Sequence, residues 1–387
     1  MLNNKSRVDS ITVYFFFLFF INFFIYIKKI SLSQGVFVLN IALFFMFLFN
    51  MMPLHETSCR SPLRNPNPLC PRITTQWVGD TREFQLTDWH LEVNALFHLY
   101  DKQHFIENLL PNNAISFRNH PDQSIEGTIL SGLIEELLEE VKQGKKVYKN
   151  FTILKNRDFN VKKQAGLLVV KCKHYPFVIK LFMETPRSFI RPYNKGFEPI
   201  CFFIIGGGAT RHFIGFTRIK NLLKINERIK KNSHWSKRVE TPRKWFWLPK
   251  EEKNILLTGY NIGGHEKIEL EFPGIYAIVT DEIKASRKFS IFSSEDRATA
   301  IDLSNYLLCR IDPHIENFLI EKETNKILLI DTEHFPSLVG FKERPRITSY
   351  TSWYLHLFTK FIKNYFCRSK QARYDLQRYP TAPFSMP

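Results

Sequence analysis

The residues best suited to chemistry lie in one stretch, 308–336. Asp312 and Asn317 stand five positions apart before one short apolar run, and Asp331 directly follows a second run. The two runs flank a polar turn, and they are Asn317–Ile320 and Lys326–Ile330. This pattern predicts a β-hairpin, whose outer ends meet, so the three side chains should converge. Their oxygens suit a divalent cation, and a carboxylate there suits a base for a hydroxyl nucleophile.

Three predicted strands precede this stretch and carry a lysine. They are Val147–Leu154, Gly166–Lys171 and Phe177–Met183. Each is apolar, β-branched or aromatic, and polar turns separate them, which predicts an antiparallel meander. Lys180 lies inside the third strand, in an otherwise apolar run. A lysine in that position either faces solvent or contacts an anion.

Helical periodicity predicts three helices that would position these residues. The first is Ser124–Gln143, with a serine N-cap and Gly144 as its stop. Its expected apolar stripe is Ile129, Leu133, Leu137 and Val141. The second is Thr217–Lys231, a basic amphipathic helix whose only acid is Glu227. Its expected inner stripe is Ile219, Leu222, Leu223 and Ile229. The third runs from Ser294 to about Leu308 and leads into the opening stretch.

The order of these elements resembles that of protein-kinase-like enzymes. Asp312-Pro-His-Ile-Glu-Asn317 is similar to their D-x-x-x-x-N catalytic loop. Ile330-Asp331-Thr332-Glu333 is similar to the metal-binding D-x-E of aminoglycoside phosphotransferase and choline kinase relatives, rather than to D-F-G. The resemblance covers roughly residues 147–341. It implies an α+β, two-lobed protein-kinase-like fold, with an antiparallel sheet lobe and a helical lobe.

The resemblance implies a phosphotransferase that moves the γ-phosphate of ATP to a hydroxyl of an unknown acceptor. In that reaction Asp312 would orient or deprotonate the acceptor hydroxyl, and Lys180 would clamp the phosphates. Asn317 and Asp331 would hold Mg²⁺ between the phosphates. The implied cofactors are therefore ATP and Mg²⁺.

Several residues depart from the family pattern or leave it open. The acidic partner of Lys180 should come from a helix, where Glu227 is the first candidate and Glu184 and Glu198 are alternatives. Arg310 stands where the family usually has His. The turn at 156–166 lacks a G-x-G-x-x-G motif, and only about 55 residues follow the hairpin. The short end favours a compact small-molecule, lipid or glycan kinase over a eukaryotic-type protein kinase.

Charge and composition bear on the partners. The formal charge of +17 and the pI near 9.5 favour anions such as nucleotides, nucleic acid or acidic lipid headgroups. Residues 230–253 are strongly basic and carry three tryptophans, which predicts either a nucleic-acid-binding surface or an exposed insertion packed by its tryptophans. The six cysteines show no C-x-x-C spacing, which argues against a zinc site.

The N-terminus is hydrophobic. Two apolar runs, Ile11–Ile27 and Val36–Met52, predict either a transmembrane hairpin or, from residues 28–52, a signal peptide. We therefore expect membrane association or export. The predicted organisation is a leader (1–52), a linker (53–73), a sheet lobe with helical and basic insertions (74–283) and a catalytic lobe (284–387).

Two alternative functions stay open. The first is a catalytically inactive, kinase-like, membrane-associated binding protein. The second is a basic nucleic-acid-binding protein that uses residues 230–253.

Overall fold

The structure is a computed structural model that describes part of the chain. The described residues are 72–78, 81–90, 99–184, 200, 208–251, 254–260, 267–341 and 345–366. The predicted hydrophobic leader and Glu198 lie outside them. Within the described residues, no helix combines the length and apolar character needed to cross a membrane.

The described residues form a mixed α+β fold, as the sequence predicts. Their strands make four sheets, and we call the largest, which has six strands, the central sheet. Its strands are β5 (Phe151–Lys155), β6 (Phe159–Asn160), β7 (Ala165–Cys172), β8 (Phe177–Met183), β10 (Lys244–Trp247) and β13 (Ile275–Asp281). Their order is β10-β13-β8-β7-β5, with β6 paired to β7, and every pairing is antiparallel. The predicted meander is confirmed, and β8 has the predicted bounds.

The predicted hairpin is also confirmed. It consists of β15 (Phe318–Glu321) and β16 (Ile327–Leu329), with Asn325 in the left-handed region at φ 55° in the turn. A 3₁₀ turn, Ile315–Asn317, leads into it. The hairpin belongs to a four-stranded sheet whose outer strands are β14 (Ala285–Lys288) and β9 (Val239–Glu240).

Two smaller sheets complete the strands of the described residues. One is a hairpin of β3 (Ala114–Phe117) and β4 (His120–Glu126). The other has the order β1-β2-β11-β12, and its strands are β1 (Arg72–Val78), β2 (Thr81–His90), β11 (Asn254–Tyr260) and β12 (Lys267–Pro273).

The helices connect and cover these sheets. They are α1 (Lys102–Glu107), α2 (Gly127–Lys142), α3 (Gly208–Gly215), α4 (Thr217–Lys230), α5 (Ser233–Arg238), α6 (Ser294–Tyr306), α7 (Phe335–Val339) and α8 (Tyr350–Phe366). Helices α2, α4 and α6 are the three that apolar periodicity predicts. A serine caps α6, but it is Ser293 and not Ser294, and it accepts from the Asp296 amide.

The start of α2 corrects the sequence analysis. Ser124 is no helix cap, because it lies in β4 opposite Ser116, and the helix begins three residues later at Gly127. The Gly127 amide donates to the Asn113 carbonyl at 3.0 Å, which ties the start of the helix to the β3–β4 hairpin. Ile129 is consequently 52% exposed, and the inner stripe is Leu130, Ile134, Leu137, Leu138 and Val141. Tertiary pairing here outweighs a local capping signal.

Two hydrophobic clusters hold the described elements together. The first packs the inner stripe of α2 against the central sheet, including Ile179 and Leu181 of β8. The second joins α4 and α6 to the hairpin through residues such as Ile225, Leu303 and Phe318. Helix α4 therefore carries side chains toward the hairpin while it follows α3, which packs against β7 and β8.

Gly215, at the end of α3, provides a test of this packing. A Cβ on Gly215 would lie 2.0 Å from the Tyr276 hydroxyl and 3.0 Å from the Phe182 ring, both of which are buried. Gly132, in α2, has open space around its Cβ position. We expect Gly215→Ala to lower the free energy of unfolding by about 1–3 kcal/mol through overpacking. Gly132→Ala should instead raise it by roughly 0.5–1 kcal/mol, since alanine is the better helix former.

Urea denaturation of the full-length chain measures both changes. Equal effects of the two substitutions would contradict the close approach of α3 to the central sheet.

Candidate functional site

A cluster of buried and partly buried charges lies where the central sheet, α4 and the hairpin meet. It contains Lys180, Arg218, Lys244, Asp331 and Glu333, and we call these five residues the charge cluster. Their positions along the chain span more than 150 residues, so only the fold brings them together. Buried charges are costly unless they are paired, so their mutual placement needs a structural explanation.

Lys180 reaches the charge cluster from the middle of β8. Its neighbours Ile179 and Leu181 point into the first hydrophobic cluster, so strand alternation directs the lysine to the opposite face. Its Nζ lies 3.4 Å from Oδ2 of Asp331, and the two side chains are 15% and 21% exposed. Burial and the charge of Arg218 lower the pKa of the lysine, against the opposing effect of the two acids.

Arg218 bridges the two acids of the charge cluster. It lies in the first turn of α4, and its guanidinium donates to Oδ1 of Asp331 and to Oε2 of Glu333. The arginine side chain is only 2% exposed. Burial opposes its positive charge, but the two carboxylates outweigh burial and raise its pKa. Such charge-assisted hydrogen bonds from one planar fork are among the strongest in proteins.

Asp331 therefore has a cation on each of its carboxylate oxygens. Burial alone raises the pKa of this carboxyl, but the neighbouring arginine and lysines outweigh burial and hold the pKa well below its usual range. The aspartate is anionic throughout the physiological pH range as a result. Among the described residues, no group of three or more His, Cys, Asp or Glu side chains is arranged to hold a metal ion.

Lys244, on β10, contacts the residues on either side of Asp331. It is buried, and its Nζ donates to the Ile330 carbonyl at 3.1 Å and to the Thr332 hydroxyl at 2.7 Å. Burial and the charge of Lys180 lower its pKa well below the ordinary value. These hydrogen bonds hold the residues on both sides of Asp331, so the lysine helps to position the aspartate.

Asp312 and Asn317 lie at the entrance to the hairpin, as predicted. The Asn317 side-chain amide donates to the Asp312 carbonyl at 3.1 Å, and the His314 amide donates to Oδ1 of Asp312 at 3.0 Å. Burial, together with the negative charges of Glu333 and Asp331, raises the pKa of Asp312 to about 7. The structure thus brings Asp312 within electrostatic reach of the charge cluster.

Arg310 has a structural role. Its guanidinium donates to the Asn221 side chain at 3.0 Å, and Asn221 in turn donates to the carbonyls of Arg310 and Thr332, each at 3.0 Å. Asn221 is fully buried on α4, one turn after Arg218. It therefore joins the backbone that precedes Asp312 to the backbone beside Asp331.

Glu227 does not reach Lys180, which corrects the prediction for this residue. Its side chain is 66% exposed on α4 and pairs with Lys231 at 2.5 Å, one turn further along the chain. The residue of α4 that reaches the site is Arg218. It carries a positive charge, so it pairs with Asp331 and does not pair with Lys180.

The sequence analysis missed Arg218, Asn221 and Lys244. Arg218 and Asn221 stand three apart on α4, in line with Leu222, Ile225 and Ile229, which extends the buried face to its first turn. Leu223, expected on that face, is 53% exposed. Lys244 alternates with buried Phe246 in β10, a period of two that also indicates an inward side chain.

Part of the basic stretch 230–253, Lys244–Trp247, belongs to the folded core and is not an exposed insertion. This part is β10 of the central sheet, and Trp235 and Trp247 are buried in the two hydrophobic clusters. Trp245 packs beside the first cluster, with Arg243 over its ring at 5.2 Å. The tryptophans of the stretch, Arg243 and Lys244 therefore serve packing, whereas five other basic residues of the stretch are exposed: Lys230, Lys231, Lys237, Arg238 and Lys250.

The turn at 156–166 is held by charge rather than shaped by several glycines. Asp158 pairs with Lys155 at 2.8 Å and with Arg211 of α3 at 3.3 Å. Gly166, at φ 116°, ends the turn where a Cβ would lie 2.1 Å from the Asp158 carbonyl oxygen. The only glycine of this turn is thus required by a close backbone approach.

Comparison with known proteins gives no relative. No protein-family model, no curated protein and no solved structure matches this chain.

The raised pKa of Asp312 predicts a pH-dependent stability. Between its ordinary pKa of 3.8 and about 7, the folded protein retains a proton on this carboxyl that the unfolded chain has lost. The free energy of unfolding should therefore fall across that window as the pH rises. Asp312→Asn removes this fall. The free energy of unfolding of the variant, relative to that of the wild type, should therefore increase progressively as the pH rises from about 4.5 to about 7.5.

Urea denaturation at several pH values measures this difference. Asp302→Asn, which removes an exposed aspartate of α6, is the matched control for the loss of one carboxylate. If the free energies of unfolding of the wild type and of Asp312→Asn differ by the same amount at every pH, the described environment of Asp312 is contradicted.

Proposed function

We propose that the chain is a protein-kinase-like phosphotransferase that transfers the γ-phosphate of ATP to a hydroxyl of an acceptor. The observation that carries the proposal is the 3.4 Å contact between Lys180 and Asp331, which joins a strand lysine to the aspartate after the hairpin. The family resemblance of the sequence independently predicts both residues at one nucleotide site. The proposal includes a two-lobed arrangement, with the central sheet on one side and the hairpin with α6 on the other.

The order of the elements supports this proposal. In protein kinases the phosphate-binding lysine lies on the third strand of an antiparallel sheet, and the catalytic loop and metal-binding aspartate follow later. Here Lys180 lies on the last strand of the β5–β7–β8 meander, while Asp312 and Asp331 flank the hairpin. The two hydrophobic clusters, one per proposed lobe, agree with this division.

The donor chemistry fits a magnesium ion. Asp331 and Glu333 supply carboxylate oxygens, and Asn317 supplies an amide oxygen, which are the hard donors that Mg²⁺ prefers. A bound Mg²⁺ would neutralise charge on the ATP phosphates. Lys180, whose ammonium lies at the same aspartate, would bind the phosphates directly.

Asp312 is suited to act as the base. A carboxyl with a pKa of about 7 is partly deprotonated at neutral pH and still basic enough to accept a proton. Its Oδ1 already accepts from the His314 amide, which fixes the orientation of the carboxylate. In the proposed reaction it would orient the acceptor hydroxyl and take its proton as the phosphoryl group is transferred.

A catalytically inactive, kinase-like binding protein is the second candidate. The observation that favours it is Arg218, which occupies an oxygen of both Asp331 and Glu333. A cation that never left these acids would keep a metal ion out and leave only a binding function. Membrane association through the N-terminal segments, or export, remains a prediction, as does nucleic-acid binding by residues 230–253.

Nucleotide binding is the first test of the proposal. Titration calorimetry of the full-length protein should show binding of ATP in the presence of Mg²⁺. Lys180→Met and Asp331→Asn should each weaken that binding by at least about tenfold, because each removes one charged contact to the phosphates or their metal. Lys171→Met is the matched control, since Lys171 lies on neighbouring β7 and pairs with Glu282 at 2.6 Å. Equal affinities for all four proteins would contradict the proposal.

Phosphate release from γ-labelled ATP separates the active enzyme from the inactive binding protein. If the chain is an enzyme, the wild type should slowly transfer the γ-phosphate to water. Asp312→Asn should lower the rate of that hydrolysis by about 10²–10⁴-fold. The variant should keep its affinity for ATP and Mg²⁺, because Asp312 acts on the acceptor. A wild type that binds ATP but matches Asp312→Asn in phosphate release would favour the inactive alternative.

A further inference from the structure

Arg218 stands where a metal-binding site would have its cation. Its guanidinium donates to Asp331 and to Glu333 at once, and these are two of the three donors assigned above to Mg²⁺. Lys180 takes the other oxygen of Asp331. The acids proposed to hold the metal are therefore already neutralised by the protein's own side chains.

The arginine is built into this position. Its side chain is 2% exposed, and the Thr332 hydroxyl donates to the Arg218 carbonyl at 2.8 Å, which ties α4 to the residue after Asp331. Asn221, one turn along the same face, donates to the Thr332 carbonyl. The backbones that carry the guanidinium and the two acids are thus held together by hydrogen bonds that do not involve the charges.

We propose that Arg218 is an internal counter-ion that competes with divalent metal for Asp331 and Glu333. A metal ion gains these carboxylates only when the guanidinium releases at least one of them. This inference rests on the proposed function for the identity of the competing ion. We therefore expect divalent metal to bind weakly in the absence of nucleotide, and we expect Arg218 to control the affinity of the two acids for the metal.

The competition has a consequence for the nucleotide. A guanidinium released from an acid needs another anion, because an unpaired buried charge is costly. The phosphates of ATP, brought with the metal, supply that anion beside Arg218 and Lys180. Metal and nucleotide should therefore bind together more tightly than either binds alone, and Arg218 should be a positioning residue for the phosphates.

Mn²⁺ binding without nucleotide tests the proposal. Electron paramagnetic resonance of free Mn²⁺, titrated with the full-length protein, should show weak binding by the wild type. Arg218→Met removes the competing charge and keeps much of the side-chain volume, so it should tighten Mn²⁺ binding by at least about tenfold. The gain should vanish in the double variant Arg218→Met/Asp331→Asn, which removes the metal ligand.

Two further variants complete the design. Arg228→Met changes an arginine on the same helix that donates to the Tyr306 carbonyl, and it should leave Mn²⁺ affinity unchanged. Arg218→Lys keeps the charge but cannot bridge both acids, so its Mn²⁺ affinity should lie between those of the wild type and Arg218→Met. If Arg218→Met fails to fold, judged by its thermal unfolding, Arg218→Lys decides the question.

An unchanged Mn²⁺ affinity in a folded Arg218→Met, or in Arg218→Lys if only that variant folds, would overturn the proposal. No nucleotide is present in this experiment, so its outcome is independent of the ATP titrations. A wild type that binds ATP while the arginine variants gain no Mn²⁺ affinity would leave the proposed function standing and reject the internal counter-ion.

Discussion

The pairing of buried cations with Asp331 and Glu333 is the interaction on which the rest of the described structure depends. Each charge in this cluster would be costly to bury alone, and removal of one partner leaves the others uncompensated. The cations come from β8, α4 and β10, and the acids follow the hairpin. Charge pairing joins β8 and α4 to the segment after the hairpin, and the hydrogen bonds of Lys244 bring β10 to the same point. The two hydrophobic clusters supply apolar burial behind these elements.

The same charges set the properties of the residue at the entrance to the hairpin. The negative charges of Glu333 and Asp331 add to burial in raising the pKa of Asp312. A neighbour surrounded by cations, Asp331, has its pKa shifted in the opposite direction. Two aspartates nineteen positions apart in the sequence therefore differ in protonation: Asp331 stays an anion paired with cations, and Asp312 has a pKa of about 7.

The elements that the sequence predicts best are those with strong local patterns. Apolar β-branched and aromatic residues define β8, and a polar turn between two apolar runs defines the hairpin, so the sequence places Lys180, Asp312 and Asp331 on or beside these elements. It does not indicate Arg218 and Lys244, because a charged residue is ordinarily expected on the solvated face. Their inward direction follows from the distant acids that compensate them, and no local pattern contains that information.

The central claim is that Lys180 lies at the phosphates of a bound nucleotide. An acyl-phosphate derivative of ATP tests this most directly, since a lysine amine beside the phosphates attacks the acyl carbon, forms a stable amide and releases ATP. Mass spectrometry of the labelled full-length protein should find Lys180 as the principal modified residue, with its labelling suppressed by excess ATP and Mg²⁺. Labelling of more exposed lysines such as Lys171 to the same extent, unaffected by ATP, would contradict the account.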